Sequence, residues 1–236
     1  MTSPIAAYDL GRIPYREALE FQRRAVSARA AEACGDAIYF VEHEPVLTFG
    51  RGGRAESLKA SESWLRGRGI EVVPVERGGD VTYHGPGQVV AYPIVALADL
   101  PSGRDLHRYL RDLEEVLILA LSSYGLGAAR RPPHTGVWVG ERKVAAIGVA
   151  VRRWITFHGF ALNVDPDLGH FEWIHPCGIR ELGVTSMRAL LGEAPPRAEV
   201  LARLRECFAR VWARPVAETP GRPDLAEFPS PERVNA

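Results

Sequence analysis

Two side chains in this sequence hold most of its chemical potential. Cys177 lies between a proline and a glycine in His175-Pro176-Cys177-Gly178-Ile179, and Lys143 opens a run of small residues in Glu141-Arg142-Lys143-Val144-Ala145-Ala146-Ile147-Gly148. A thiolate is the best nucleophile a side chain supplies near neutral pH, and a nearby cation favours it over the thiol. With the imidazoles and the glycine-rich run upstream, these are the ingredients of covalent acyl transfer. Free cysteines more often fill cores than attack substrates. Cys207, beside Phe208 in a helical stretch, reads that way, and so does Cys34, after an alanine-rich helix and before Gly35. Cys177 sits instead in a Pro/Gly turn, where functional residues concentrate.

Lys143 begins a segment with strand character. Residues of one parity are Lys143, Ala145, Ile147, Val149 and Val151; the other parity shows Val144, Ala146, Gly148 and Ala150. Both faces are apolar, so the strand is buried, and its small residues leave space beside it. The lysine is either a snorkelling end residue or a partly desolvated amine able to accept a proton at neutral pH. The residues alone leave both readings open.

The third feature is Arg77-Gly78-Gly79-Asp80-Val81-Thr82-Tyr83-His84-Gly85-Pro86-Gly87-Gln88, with four glycines in twelve residues. Glycine lets a ligand come close to the backbone, and exposed N–H groups there can hold an oxygen. No Gly-Lys-Ser/Thr follows and no dinucleotide fingerprint is present, so the alternatives are a ligand loop or a plain glycine-rich hairpin turn. Metal binding competes for the same atoms, with His170, His175 and Cys177 close in sequence and His84, His134 and His158 elsewhere. The spacing His-x4-His-x-Cys matches no common structural zinc site, and no Cys-x2-Cys pair occurs.

The elements that must position these groups are legible in outline. Strands are expected at Ile5 to Leu10, Ala37 to Glu42, Val46 to Phe49 and Ile70 to Val75, and on both sides of the Gly-Pro-Gly turn, at Val81 to Tyr83 and Gln88 to Val95. Pro14 opens a helix over Tyr15 to Ala33, Ser61 caps a short one, and Leu106, Leu110, Leu113, Leu117 and Leu121 give Asp105 to Tyr124 helical spacing. Gly136 to Val139, Val144 to Val151 and Ile155 to Val164 predict an antiparallel meander. Helices follow at Ser186 to Leu191 and Pro196 to Trp212; after Arg214 the apolar periodicity stops. Strand and helix runs mix without strict alternation, so the expectation is one α+β domain with a mixed, largely antiparallel sheet flanked by helices. Its bounds are 1–213, with a proline-rich tail over 214–236.

Bulk composition narrows the function classes. The chain has 236 residues, 46% apolar and 25% charged, with 29 basic residues balancing 29 acidic ones. No global field recruits nucleic acid or a membrane surface. Three widely spaced cysteines suit a reducing compartment. Neither a secretory signal nor a spanning stretch is visible, which points to a soluble, cytoplasmic protein.

Taken together, Glu42 to Arg51, Arg77 to Gln88, Thr135-Gly136-Val137-Trp138, Lys143 to Gly148, His158 to Val164 and Pro176 to Ile179 resemble the lipoyl(octanoyl) transferase family, from about Tyr8 to Trp212. The resemblance implies the fold of the biotin/lipoate protein ligase catalytic domain. It implies transfer of an octanoyl or lipoyl group from octanoyl-acyl carrier protein to a specific lysine of a lipoyl domain, the first step of protein lipoylation. The expected acceptors are the lipoyl domains of 2-oxoacid dehydrogenase complexes and the glycine cleavage H protein. By resemblance Cys177 carries the acyl thioester and Lys143 lowers its pKa. The implied acyl-binding positions are Arg77, Gly78, Gly79, Asp80, Val81, Thr82, Tyr83 and His84, then Ala146, Ile147 and Gly148, then Gly159, Phe160 and Ala161. Because a carrier thioester is already activated, no ATP, other cofactor or metal is expected. The role of the loop from Asp165 to His175 stays open. Two alternatives remain: an ATP-dependent lipoate or octanoate ligase of the same fold, which needs no cysteine, and a non-catalytic acyl-binding or lipoyl-domain-binding protein.

Overall fold

In chain order the strands are β1 (Ile5–Ile13), β2 (Ala37–His43), β3 (Val46–Phe49), β4 (Glu71–Pro74), β5 (Val81–His84), β6 (Gln88–Ile94), β7 (Ala128–Arg131), β8 (His134–Val139), β9 (Arg142–Arg152), β10 (Ile155–Asn163) and β11 (Val216–Glu218). The α-helices are α1 (Tyr15–Ala30), α2 (Glu62–Arg66), α3 (Leu106–Ser122), α4 (Met187–Leu191) and α5 (Arg197–Val211). The computed structural model describes residues 3–174, 183–223 and 228. Eight strands form one sheet in the order β11-β1-β2-β6-β10-β9-β8-β7, and β4-β3-β5 form a second, smaller one. In the large sheet β1 runs parallel to β2 and β11, and the remaining pairs are antiparallel. The expected α+β architecture with a mixed sheet and flanking helices is the one observed.

Both faces of the large sheet are covered, which is why its central strands read as continuous apolar runs. Along β2, Ile38 and Phe40 pack with Leu113 and Leu117 of α3 and with Phe208 of α5. The alternate residues Tyr39 and Val41 pack with Phe21 and Ala25 of α1. Fully burying a leucine or phenylalanine contributes about 1.5–3 kcal/mol, so the α3 and α5 stripes are major anchors of the sheet. Asp105 caps α3 by accepting the Arg108 N–H at 3.0 Å. Ser61 does the same for α2, from Trp64 N–H at 3.2 Å.

Three departures have physical reasons. The strands beside Gly85-Pro86-Gly87 form no hairpin: β5 pairs with β3 in the small sheet, while β6 pairs with β2 and β10 in the large one. Gly87, at φ 86°, makes that crossing possible, since a Cβ there would lie 2.1 Å from the Asp165 carbonyl oxygen. β7 is an edge strand of Ala-Ala-Arg-Arg and offers no alternation to read. β11 is three residues long and is held by its partner, with Ile5 N–H donating to Pro215 C=O at 2.8 Å. Farther along, the Phe228 ring packs edge-on to Phe21 at 5.6 Å between centroids.

Candidate active site

β9 and β10 present their smallest residues to each other. Gly148 stands opposite Gly159, and Ala146 opposite Ala161. Larger residues do not fit: a Cβ on Gly159 would lie 2.2 Å from the Ala91 carbonyl oxygen, and one on Gly148 would lie 2.9 Å from that of Gly78. This small-residue floor, with Ile147 and Phe160 beside it, opens a pocket of ≈ 530 Å³, including space at its mouth that is open to solvent.

The glycine-rich run forms the roof. Gly78 N–H donates to Val149 C=O at 2.9 Å, which ties the loop to β9 beyond the end of β8. Arg77 is buried and braces the loop from beneath. Its Nη2 donates to the Thr48 carbonyl at 2.7 Å and hydroxyl at 2.9 Å, and its Nη1 donates to Gly78 C=O at 3.1 Å. Asp80 accepts from the Ser57 hydroxyl at 2.6 Å. Arg77, Gly79, Asp80, Val81, Thr82 and His84 all border the pocket. Gly78 and Tyr83 do not. Gly78 borders a neighbouring cavity, and Tyr83 turns the other way, its hydroxyl 2.6 Å from His170 Nδ1. That contact ties the 3-10 turn Leu168–Trp173, in the loop of open role, to the glycine-rich segment.

Rings line another part of the pocket. Tyr15 stacks on His84 at 5.8 Å, and Tyr92 and His158 also border it. Behind them His43 places Nε2 2.6 Å from the Tyr92 hydroxyl and Nδ1 3.0 Å from Ile13 C=O. Burial lowers the pKa of His43 to about 4, against a partial rise from the Ile13 hydrogen bond. Burial also pushes His84 and His158 down, so these rings are neutral at physiological pH. His158 Nε2 stands 3.8 Å from Glu76, too far for a hydrogen bond.

Lys143 borders the same pocket and is only 6% exposed, so it is a buried amine rather than a snorkelling one. Its Nζ donates to Thr135 C=O at 3.4 Å and lies 4.9 Å from the centre of the Trp138 ring. Gly136 makes room for it at φ 128°, since a Cβ there would lie 2.8 Å from Ala145 C=O and 3.3 Å from Lys143 Cε. The backbone of Gly136 is pinned in turn by Glu114 of α3, whose Oε1 accepts its N–H at 3.1 Å. Glu114 Oε2 accepts from Arg111 at 2.7 Å and from Arg130 at 3.1 Å.

Cys177 lies outside the described residues, as does His175. The chain on either side of them is well tied. Before them, Ile174 bridges to Leu58, and Lys59 N–H donates to Trp173 C=O at 2.8 Å. After them, Gly183 C=O accepts the backbone N–H of Lys143 at 3.0 Å, and Thr185 N–H donates to Lys143 C=O at 2.9 Å. Cys177 is six residues from Gly183, so full extension could carry it no farther than ~20 Å from the Lys143 strand. The other two cysteines are half-buried and border no part of the pocket; burial is the main cause raising the pKa of both thiols. Among the described residues no group of three His, Cys, Asp or Glu side chains could hold a metal ion.

The sequence reading missed Tyr15, Tyr92, His43 and Glu114. Glu114 had a visible signal: it lies four residues after Leu110 and three before Leu117, a carboxylate on the apolar stripe of α3. The rings had none, because they come from separate elements that only the fold brings together.

A slot floored by small residues borders a buried amine on this sheet. A profile described as the lipoyl protein ligase A/B catalytic domain matches residues 14–209, and the chain belongs to that family. Its fold is shared by lipoate-protein ligase A bound with ATP (TM-score 0.73, 17% identity, covering 92% of this chain and 89% of that one). The putative lipoate protein ligase Ta0514 of T. acidophilum with bound lipoic acid is similar at TM-score 0.71, 17% identity and 92% and 89% coverage. Within the family, relatives with higher identity are named Octanoyltransferase. That of Rubrobacter xylanophilus is 50% identical over 216 residues, covering 89% of this chain and 96% of the relative. That of Solibacter usitatus is 49% identical, with 86% and 90% covered. The Myxococcus xanthus protein is 45% identical across 88% of this chain, which spans 59% of that relative's length.

Proposed function

We propose that this chain is an octanoyltransferase. It moves an octanoyl group from an acyl-carrier-protein thioester to a lysine of a lipoyl domain, through a thioester on Cys177. The observation that carries the reading is the position of Lys143, buried where the small-residue pocket ends and bonded through its backbone to the chain that leads from Cys177. The identity shared with proteins named Octanoyltransferase supports the acyl group and the reaction class.

The mechanism follows from the two groups. The Cys177 thiolate attacks the carbonyl carbon of the incoming thioester, and the carbon–sulfur bond to the carrier breaks. The departing thiolate takes a proton from the Lys143 ammonium. The acceptor lysine amine then attacks the enzyme thioester, an amide bond forms, and the now neutral Lys143 takes the amine proton as Cys177 leaves as thiolate. Both groups return to their starting states, and two half-reactions through one covalent intermediate give ping-pong kinetics. Thiol-for-thiol exchange at an activated ester requires no nucleotide. Ala146, Gly148, Gly159 and Ala161 leave the width for one alkyl chain, and the neutral His84 shapes the pocket rather than moving protons.

The acceptors in this reading are the lipoyl domains of 2-oxoacid dehydrogenase complexes and the glycine cleavage H protein, met in the cytoplasm. Residues 1–213 form the catalytic domain and 214–236 its tail. Among the described residues no helix is long and apolar enough to cross a membrane. The test offers the purified chain octanoyl-carrier protein and a lipoyl domain, without ATP. Amide-linked octanoate on the acceptor is the expected result; octanoate-dependent ATP–pyrophosphate exchange without carrier-dependent transfer would give the chain to the ligase alternative.

A further inference from the structure

A second cavity adjoins the first at Lys143. Its walls are Leu106 and Leu110 of α3, Pro133 with His134 and Thr135 at the start of β8, and Val149 of β9. It shares Gly79, Lys143, Ile147 and Gly148 with the acyl pocket, so a molecule occupying both passes the amine. Resting on the octanoyl-transfer reading, we propose that this cavity receives the phosphopantetheine arm through which the carrier protein presents its thioester.

Size favours the arm over the acceptor lysine. The cavity encloses ≈ 780 Å³, against ≈ 530 Å³ in the acyl pocket, both volumes including space open to solvent. Four methylenes and an amine would leave most of that empty. A pantetheine arm alternates amides with a dimethyl carbinol and methylene pairs, and the walls alternate likewise, Leu106, Leu110 and Pro133 with His134 and Thr135. Length agrees as well. From Lys143 to Val149 the strand runs ~20 Å at about 3.3 Å per residue, the scale of an extended arm.

Charge complements the phosphate. Beyond Val149, β9 continues to Arg152 and the hairpin residues Arg153 and Trp154, all exposed. The Arg104 guanidinium, just before α3, lies 5.7 Å from the centre of the Trp154 ring. Arg104 therefore stands at the hairpin that carries the exposed Arg152 and Arg153. The neighbouring carboxylate, Asp105, is engaged in capping α3.

The test follows acylation of the full chain by octanoyl-phosphopantetheine, octanoyl-pantetheine and octanoyl-N-acetylcysteamine, which keeps only the last two carbons and amide of the arm. Wild type should show a lower KM for the arm-bearing thioesters. Leu106→Trp, which fills the cavity from a partly exposed position, should reduce that preference at least tenfold. The hairpin double variant Arg152→Glu with Arg153→Glu should lower the preference for the phosphorylated over the unphosphorylated arm at least threefold, and it decides the matter alone if Leu106→Trp does not fold. No arm preference in wild type, or equal losses for all three thioesters in the variants, would overturn the assignment. Slowing confined to transfer from the acyl-enzyme to the lipoyl domain would overturn it too, by giving the cavity to the acceptor. If no octanoyl thioester acylates wild type, the octanoyl-transfer reading itself fails.

Discussion

Removing the Glu114 carboxylate should disable Lys143 from a distance, and the structure gives the size of the effect. Glu114 is fully buried, with Gly136 N–H on one oxygen and Arg111 and Arg130 on the other. Breaking a wholly buried ion pair costs about 3–5 kcal/mol. Here the arginine side chains are 44% and 33% exposed and can turn to water, so that figure is an upper limit. The Gly136 N–H has no such escape, and leaving a buried donor unpaired costs about 1–3 kcal/mol. Glu114→Ala should therefore lower unfolding stability by about 2–3 kcal/mol in urea titrations. Glu114→Gln keeps an acceptor for Gly136 and should cost about half as much. The functional consequence runs through the adjacent residue, since Thr135 C=O accepts from Lys143 Nζ. Single-turnover acylation by octanoyl-carrier protein, at a temperature where each variant is fully folded, should fall at least tenfold in Glu114→Ala and less than threefold in Glu114→Gln. A folded Glu114→Ala enzyme that acylates at the wild-type rate would refute the chain of support from α3 to the amine.

Lys143→Ala should slow acylation by roughly two orders of magnitude, the usual worth of a positioned proton donor, and shift the pH profile of Cys177 alkylation by iodoacetamide upward. Ala146→Leu should shorten the accepted acyl chain. Excluding two to three methylenes at ~0.8 kcal/mol each costs about 2 kcal/mol, so kcat/KM for octanoyl relative to butanoyl thioesters should drop about 30-fold. The buried His43 makes stability depend on pH. Its folded pKa is about 4 against an ordinary 6.5, so between those values the unfolded chain binds a proton that the native ring refuses. Stability is then full above pH 6.5 and falls as pH drops toward 4, by about 2 kcal/mol between pH 7 and pH 5 from this residue alone. His84, also pushed down, adds in the same direction, and His43→Asn should flatten part of the slope in urea midpoints measured at the two pH values.

The sequence carried the β8-β9-β10 meander because each strand has enough β-branched residues and a tight turn at its end. It carried α3 because its leucines keep helical spacing over four turns, and α5 because Val200, Leu204, Phe208 and Val211 do the same. It could not show that the strands beside Gly85-Pro86-Gly87 enter different sheets, since strand pairing is a long-range choice and a glycine-rich turn suits either outcome. β11 was illegible for a related reason, being too short to have a pattern of its own. At the site, the parity of β9 exposed the small-residue floor, and the glycine run exposed its roof. Whether Lys143 reached water or stayed buried depended on Gly136 and Trp138 closing around it, contacts that no local pattern encodes. The aromatic and imidazole lining joins α1, β5, β6 and β10, so it exists only after folding.

The central claim is that the octanoyl group rests on Cys177 between donor and acceptor. Peptide mass mapping of the chain after brief exposure to octanoyl-carrier protein tests it most directly. The mechanism predicts an octanoyl adduct on the Cys177 peptide that disappears when a lipoyl domain is added, with the acceptor gaining the same mass. Complete transfer to the acceptor with Cys177 never modified, or transfer undiminished in Cys177→Ser, would contradict it.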